Sequence, residues 1–161
     1  MSADFAASFF DYESVAVHER SDELVLLADR PRSDWQKILA HTETRRFSRG
    51  ETIITAGESD RALYLLTLGT LGVRLGGDPQ KTFKAIDAPS VVGEVAFLDG
   101  GPRSATLFAI TDGELLRLRM ESFEVLSARE PELGRAILFD LARIVTQRLR
   151  LASDAIARAG G

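Results

Sequence analysis

Residues 92–106 read V-G-E-V-A-F-L-D-G-G-P-R-S-A-T, and this stretch decides how the chain of 161 residues is interpreted. It combines a Gly-Glu pair, a Pro-Arg pair and several small residues. The guanidinium of Arg103 has a fork of donors that can grip two oxygens of an anion, and it stays charged at working pH. Glu94 begins a predicted helical turn whose free N–H groups attract anions, and Gly93 lets the backbone approach closely. The stretch therefore predicts a site for a phosphate group.

The same stretch resembles the phosphate-binding cassette of cyclic nucleotide-binding domains. In that family, Gly-Glu-(apolar)-Ala-(apolar) is followed, after a short connection, by Pro-Arg-(small)-Ala-(Ser/Thr), and every one of these positions is matched here. The resemblance implies that Arg103 and the N–H groups of the cassette hold a cyclic phosphate, and that Glu94 accepts a hydrogen bond from the ribose 2′-hydroxyl. The ligand-binding residues expected within the cassette are Gly93, Glu94, Val95, Ala96, Arg103, Ser104 and Ala105.

A second stretch, I-I-T-A-G-E-S-D-R-A-L-Y-L-L-T-L-G at residues 53–69, resembles the other hallmark of the family. That hallmark is an apolar pair, a Gly-Glu turn and four apolar residues before a glycine. Asp60 stands where the family usually has a small residue, and Phe97 stands where an aliphatic residue is commoner. We expect neither departure to touch a ligand contact.

Residues 21–159 are predicted to form one α+β domain. Residues 1–20 show no sustained period and are predicted to be a mobile arm or a docking segment. Helices are predicted within 21–41, and short apolar runs separated by glycines predict many short strands over 44–119. The resemblance implies that these strands form a small antiparallel β-barrel of the jelly-roll or cupin-like type. Helices are predicted over 120–159, and the resemblance implies that the last of them is a lid.

Local signals predict several boundaries within this domain. Ser33 is the predicted N-cap of a helix that Pro31 separates from one beginning after Ser21. Pro131 is predicted at the first position of the last helix. Residues 63–66 are predicted to be a strand buried on both faces. The glycines predicted to adopt positive φ in turns are Gly50, Gly57 and Gly69.

The last predicted helix carries an apolar face that is wider than a helix needs to pack against a single surface. This width indicates contact with both the barrel and a second partner, for which a homodimer is one option; a helix that merely covers the barrel mouth is the alternative. The resemblance implies that this helix is a lid over the purine. Ile144 is then expected to cap the base, and Arg148, one turn later, to reach its face or edge.

The composition argues against several classes of function. Its 20 Lys+Arg are scattered among 24 Asp+Glu, giving a net charge of −4, which does not favour nucleic-acid binding. There are no cysteines, and the two histidines stand apart, so no metal or catalytic site is predicted. No apolar run approaches ~20 residues and no leader is evident, which predicts a cytoplasmic protein without a membrane span. No helix-turn-helix follows the last helix, so direct DNA binding is not expected.

Three functions follow from these observations. The first is a stand-alone, non-enzymatic receptor for cyclic AMP or cyclic GMP that presents a ligand-dependent surface to an unidentified effector protein; Ser104 favours cyclic AMP. The second is a degenerate barrel that has lost its ligand and only mediates assembly, against which the retention of both Glu94 and Arg103 argues. For the cassette itself, the alternative is a plain salt bridge between Glu94 and Arg103 that closes an ordinary turn. The third is a metal-dependent oxygenase or isomerase on a similar barrel, which the lack of clustered histidines disfavours.

Overall fold

The computed structural model describes residues 26–74, 82 and 84–161. The predicted arm at 1–20 and the start of the helix after Ser21 lie outside these residues. The described chain begins with a turn at residues 26–30, so a helix does not extend through Leu27, contrary to the prediction. The reason is the left-handed backbone of Leu27, at φ 55°, which is incompatible with a continuing α-helix. The Leu27 side chain is nevertheless buried.

The described residues form four helices and eight strands. The elements are, in chain order, α1 (Arg32–Leu39), β1 (Glu43–Phe47), β2 (Thr52–Ile54), β3 (Ala62–Leu68), β4 (Thr70–Arg74), β5 (Lys84–Asp87), β6 (Ser90–Val92), α2 (Glu94–Asp99), β7 (Thr106–Ala109), β8 (Gly113–Arg119), α3 (Met120–Arg129) and α4 (Pro131–Ala159).

The strands form two four-stranded antiparallel sheets, one in the order β1-β8-β3-β6 and the other in the order β2-β7-β4-β5. The predicted α+β class, with an antiparallel jelly-roll and flanking helices, is confirmed. The two sheets do not join into a closed barrel, so the architecture is a jelly-roll-like sandwich. The three predicted turn glycines have φ values of 87°, 85° and 94°, as expected.

Two apolar cores lie on opposite faces of the β1-β8-β3-β6 sheet, and β3 contributes to both. Tyr64 and Leu66 point into the core between the sheets, whereas Leu63 and Leu65 point into the core that the helices cover. This alternation follows from the two-residue period of a strand. It confirms that residues 63–66 are buried on both faces, as their unbroken apolar run predicted.

The helix α4 begins at Pro131 as predicted, and its first half packs into the helix-covered core through residues that include Leu133, Ile137 and Leu141. Its second half exposes apolar side chains. The helix α1 begins two residues earlier than predicted, because Pro31, in an extended conformation, is its N-cap in place of Ser33. None of the described helices combines the length and apolar character needed to cross a bilayer.

Candidate functional site

A cavity of about 210 Å³ opens where the predicted cassette meets the second half of α4. The sheets supply its apolar walls, and the cassette and α4 supply its polar groups. Every predicted site residue except Ile144 lines it. The full lining is Ile54, Val73, Lys84, Ile86, Val92, Gly93, Glu94, Val95, Ala96, Arg103, Ser104, Ala105, Leu107 and Arg148.

Gly93 is the N-cap of α2 and brings the backbone against the arginine of the cassette. Its φ of 77° lies in the left-handed region, where a side chain is unfavourable. Its carbonyl oxygen accepts a hydrogen bond from Nη1 of Arg103 at 3.0 Å. A Cβ at this position would lie 2.7 Å from that same Nη1. Both the backbone conformation and the close approach therefore require glycine.

Arg103 is the charged side chain that the described part of the fold buries, at 4% exposure. Its Nη2 donates to the carbonyl oxygen of Ala62 at 2.8 Å and to Oδ2 of Asp60 at 3.0 Å. Its Nε has no hydrogen-bond partner among the described residues. A buried cation needs compensation from neighbouring oxygens, and because Arg103 lines the cavity, an anion bound there can supply part of it.

Asp60 contacts Arg103, the predicted ligand-binding arginine, directly. Our expectation that this departure from the family pattern would not involve a ligand-binding residue was therefore wrong. Besides Arg103, it accepts hydrogen bonds from Tyr64 Oη at 3.0 Å and from Arg117 Nη2 at 3.1 Å. Burial acts to raise the pKa of Asp60, but the hydrogen bonds from these three donors outweigh it and lower the pKa below the usual value. Asp60 is therefore an ionised counter-ion of the cassette arginine.

Glu94 is paired with α4. Its Oε1 lies 2.7 Å from Nη1 of Arg148, and the two side chains are 12% and 26% exposed. Nη2 of Arg148 also donates to the carbonyl oxygen of Val91 at 2.7 Å and lies 3.5 Å from Oγ of Ser90, a distance too long for a strong hydrogen bond. Glu94 and Arg103 thus each have another charged partner, so they do not form the plain salt bridge considered above.

Ile144 is placed apart from the other predicted site residues. It is buried in the helix-covered core together with Phe97 and Phe123, whose rings pack edge to face at 5.4 Å. Its role as a cap on the base stays a prediction. Phe97 also lies in this core and not in the cavity, in line with our expectation for that departure.

Sequence reasoning missed Lys84 and the apolar walls of the cavity. Lys84 lies at the start of β5, opposite Val73 of β4, and both line the cavity. The signal available in the sequence was the alternation within each strand, but alternation alone does not say which face meets the cassette. Among the described residues, no group of three His, Cys, Asp or Glu side chains is arranged to hold a metal ion.

Comparison with known proteins identifies the family. The model of the cyclic nucleotide-binding domain matches residues 44–130, more than half of the chain. The chain belongs to the cyclic nucleotide-binding domain family. The match covers seven of the strands completely and most of β1, and it includes the whole of the predicted phosphate-binding cassette at 92–106.

Relatives of this cyclic nucleotide-binding domain include regulators, kinase subunits and channels. The cyclic AMP receptor protein of Thermus thermophilus is 32% identical over 115 residues, which are 70% of this chain and 51% of that protein. A cAMP-dependent protein kinase regulatory subunit of Colletotrichum orbiculare is 32% identical over 102 residues, or 63% of this chain and 26% of the subunit. The chain spans about half or less of the length of these relatives.

A solved cyclic nucleotide-binding domain from Methylobacillus flagellatus supports the fold. It superposes with a TM-score of 0.80 over 97% of this chain and 84% of the other, at 22% sequence identity. The jelly-roll and its flanking helices are therefore the architecture of the family.

Proposed function

We propose that this domain is a non-enzymatic receptor for a cyclic nucleotide, with cyclic AMP favoured over cyclic GMP, and that it signals through its last helix to a separate effector protein. The observation that carries the proposal is Arg103, a buried cation at the wall of the cavity with an unpaired Nε. A cyclic phosphodiester brings one negative charge and two exposed oxygens to this donor. Charge-assisted hydrogen bonds of this kind are among the strongest that a protein makes.

Glu94 supplies the second contact of the proposed complex. A carboxylate beside a phosphate is repulsive, so its role is to accept a hydrogen bond from the ribose 2′-hydroxyl. In the structure the Oε1 of Glu94 lies 2.7 Å from Nη1 of Arg148. A ribose that binds Glu94 therefore competes with, or rearranges, the ion pair that ties α4 to the cassette.

This competition gives the proposed receptor a way to report its ligand. Arg148 anchors the second half of α4 through Glu94 and the carbonyl oxygen of Val91. A ligand shifts a conformational equilibrium only by its differential affinity for the two states. The nucleotide would favour the state in which Arg148 has left Glu94 and reaches the purine, with Ile144 following as an apolar cap.

The preference for cyclic AMP rests on Ser104 and on the relatives. Ser104 lines the cavity directly after the cassette arginine, and a serine in place of a threonine at this position favours cyclic AMP. The relatives from Thermus thermophilus and Colletotrichum orbiculare are both named for cyclic AMP.

The test is calorimetric titration with cyclic AMP, cyclic GMP and 5′-AMP. Binding confined to a cyclic nucleotide supports the receptor, and tighter binding of cyclic AMP supports the stated preference. Arg103→Ala should cost ~2 to 5 kcal/mol, which weakens binding at least about 30-fold. Arg46→Ala is the matched control, because Arg46 lies on β1 away from the cavity. Folded, nucleotide-free protein that binds none of the three ligands would favour the assembly module.

Movement of α4 has its own test. The chain has no cysteines, so spin labels can be placed at Ser153→Cys on α4 and Arg46→Cys on β1 without further changes. The distance between the labels should change when the cyclic nucleotide is added and should not change with 5′-AMP. An unaltered distance distribution at saturation would contradict signalling through this helix.

A further inference from the structure

Arg103 belongs to a network of charged and polar side chains that lies between two openings of the molecule, and this placement bears on nucleotide affinity. Arg103 lines the ligand cavity, whereas Asp60, Tyr64 and Arg117 line a separate, polar cleft. The ion pair between Arg103 and Asp60 therefore crosses the wall between the two. Arg103 therefore borders the cavity on one side and a carboxylate on the other.

Backbone oxygens hold this guanidinium independently of Asp60. Nη1 donates to the carbonyl oxygen of Gly93 at 3.0 Å and Nη2 donates to that of Ala62 at 2.8 Å. Two neutral acceptors on different elements are enough to orient a planar group. What Asp60 adds is a negative charge, 3.0 Å from Nη2.

We propose that Asp60 sets the affinity of the phosphate site by partly neutralising Arg103. This inference rests on the proposed function, since it concerns the anion that Arg103 holds. A phosphate that binds on the cavity side meets the repulsion of a carboxylate only one guanidinium away. The carboxylate is 31% exposed, so water screens part of this repulsion.

Arg117 forms a second ion pair with the carboxylate of Asp60. Its Nη2 lies 3.1 Å from Oδ1 of Asp60, and its Nη1 lies 4.0 Å from Oε2 of Glu43. By sharing Asp60 with Arg103, Arg117 leaves more of the positive charge of Arg103 available to a ligand. The carboxylate of Asp60 thus forms ion pairs with two arginines at once, the proposed ligand-binding Arg103 and the structural Arg117.

The experiment is calorimetric titration of cyclic AMP and cyclic GMP into the wild type and matched variants. Asp60→Asn keeps an oxygen that accepts from Nη2 but removes the charge, and it should bind the preferred nucleotide about tenfold more tightly. Glu58→Gln is the control: Glu58 lines the same cleft, but its side chain does not contact Arg103. It removes the same charge and should leave affinity within about twofold.

Arg117→Gln provides a second, opposite test. It leaves the Arg103–Asp60 pair intact and should weaken nucleotide binding, and this weakening should largely disappear in the Asp60→Asn background. If Asp60→Asn does not fold, the weakening by Arg117→Gln alone decides the question. Unchanged affinity of Arg117→Gln would then overturn the proposal.

The outcomes separate this inference from the function on which it rests. If the wild type binds a cyclic nucleotide but folded Asp60→Asn binds it equally or more weakly, Asp60 only positions Arg103 and the affinity-setting role is overturned. If neither the wild type nor any variant binds a cyclic nucleotide, the receptor function fails and this inference fails with it. If only Asp60→Asn binds, the carboxylate suppresses the site fully and the inference is supported.

Discussion

A methyl group at Gly93 tests the packing around Arg103 in the proposed phosphate site most sharply. The substitution Gly93→Ala forces a side chain into a left-handed backbone at φ 77° and places its Cβ 2.7 Å from Nη1 of Arg103 and 3.2 Å from the carbonyl oxygen of Ala62. Gly50→Ala is the matched control. Gly50 has φ 87°, and its Cβ would meet nothing within 4 Å. The control therefore carries the backbone strain without the steric conflict.

The magnitudes follow from these two geometries. Left-handed backbone costs a residue with a Cβ ~1 kcal/mol, and both variants carry this cost. In Gly93→Ala the guanidinium must also shift and lose its hydrogen bond to the Gly93 carbonyl oxygen, and a bond from a charged donor contributes ~1.5 to 3 kcal/mol. We expect total losses of ~1 kcal/mol for Gly50→Ala and ~3 kcal/mol for Gly93→Ala. For a chain of this size these are falls in Tm of roughly 3 and 9 °C.

The assay is thermal and chemical denaturation of both variants, followed by nucleotide titration. Gly93→Ala should bind the nucleotide at least about tenfold more weakly, because Arg103 has moved, whereas Gly50→Ala should bind as the wild type does. Equal stability losses in the two variants would show that the guanidinium relaxes freely. Wild-type affinity in Gly93→Ala would refute the conclusion that Gly93 and Arg103 form one rigid unit.

Three further predictions concern the acid response, the core and the association of the chain. Because the folded-state pKa of Asp60 is lowered, its ionised form stabilises the fold above about pH 4, and this contribution is lost as the pH falls through the lowered pKa. The difference in unfolding free energy between the wild type and Asp60→Asn should therefore shrink on acidification. A difference independent of pH would contradict the role of Asp60 as a counter-ion. Phe97→Ala removes a fully buried ring packed on Phe123 and should cost ~3 to 5 kcal/mol in urea denaturation, with a loss under about 1 kcal/mol counting against the packing described. The exposed Leu149 and Ile156 on α4 should make the chain a homodimer in sedimentation velocity, which Leu149→Glu with Ile156→Glu converts to a monomer; a monomeric wild type would exclude this association.

The cassette and the class of fold could be predicted because their signals are local. Gly93 and Arg103 are ten positions apart in one continuous run, and their residue types already indicate an anion site. The strand at 63–66 and the helix from Pro131 follow from apolar period and from the geometry of proline. Where local signals compete, prediction was less exact: Ser33 carried the better N-cap side chain, but Pro31 occupies that position.

The amino-acid sequence by itself predicted the cassette and the polar residues that line the cavity, because these depend on residue type and short spacing. The family resemblance carried by the cassette implied the jelly-roll with its flanking helices. Only the tertiary structure decided how their charges are paired. Arg103 meets Asp60, 43 positions earlier in the chain, and Glu94 meets Arg148 on a helix from the far end of the domain. An ion pair depends on distance in space, and a residue pattern along the chain does not contain that distance.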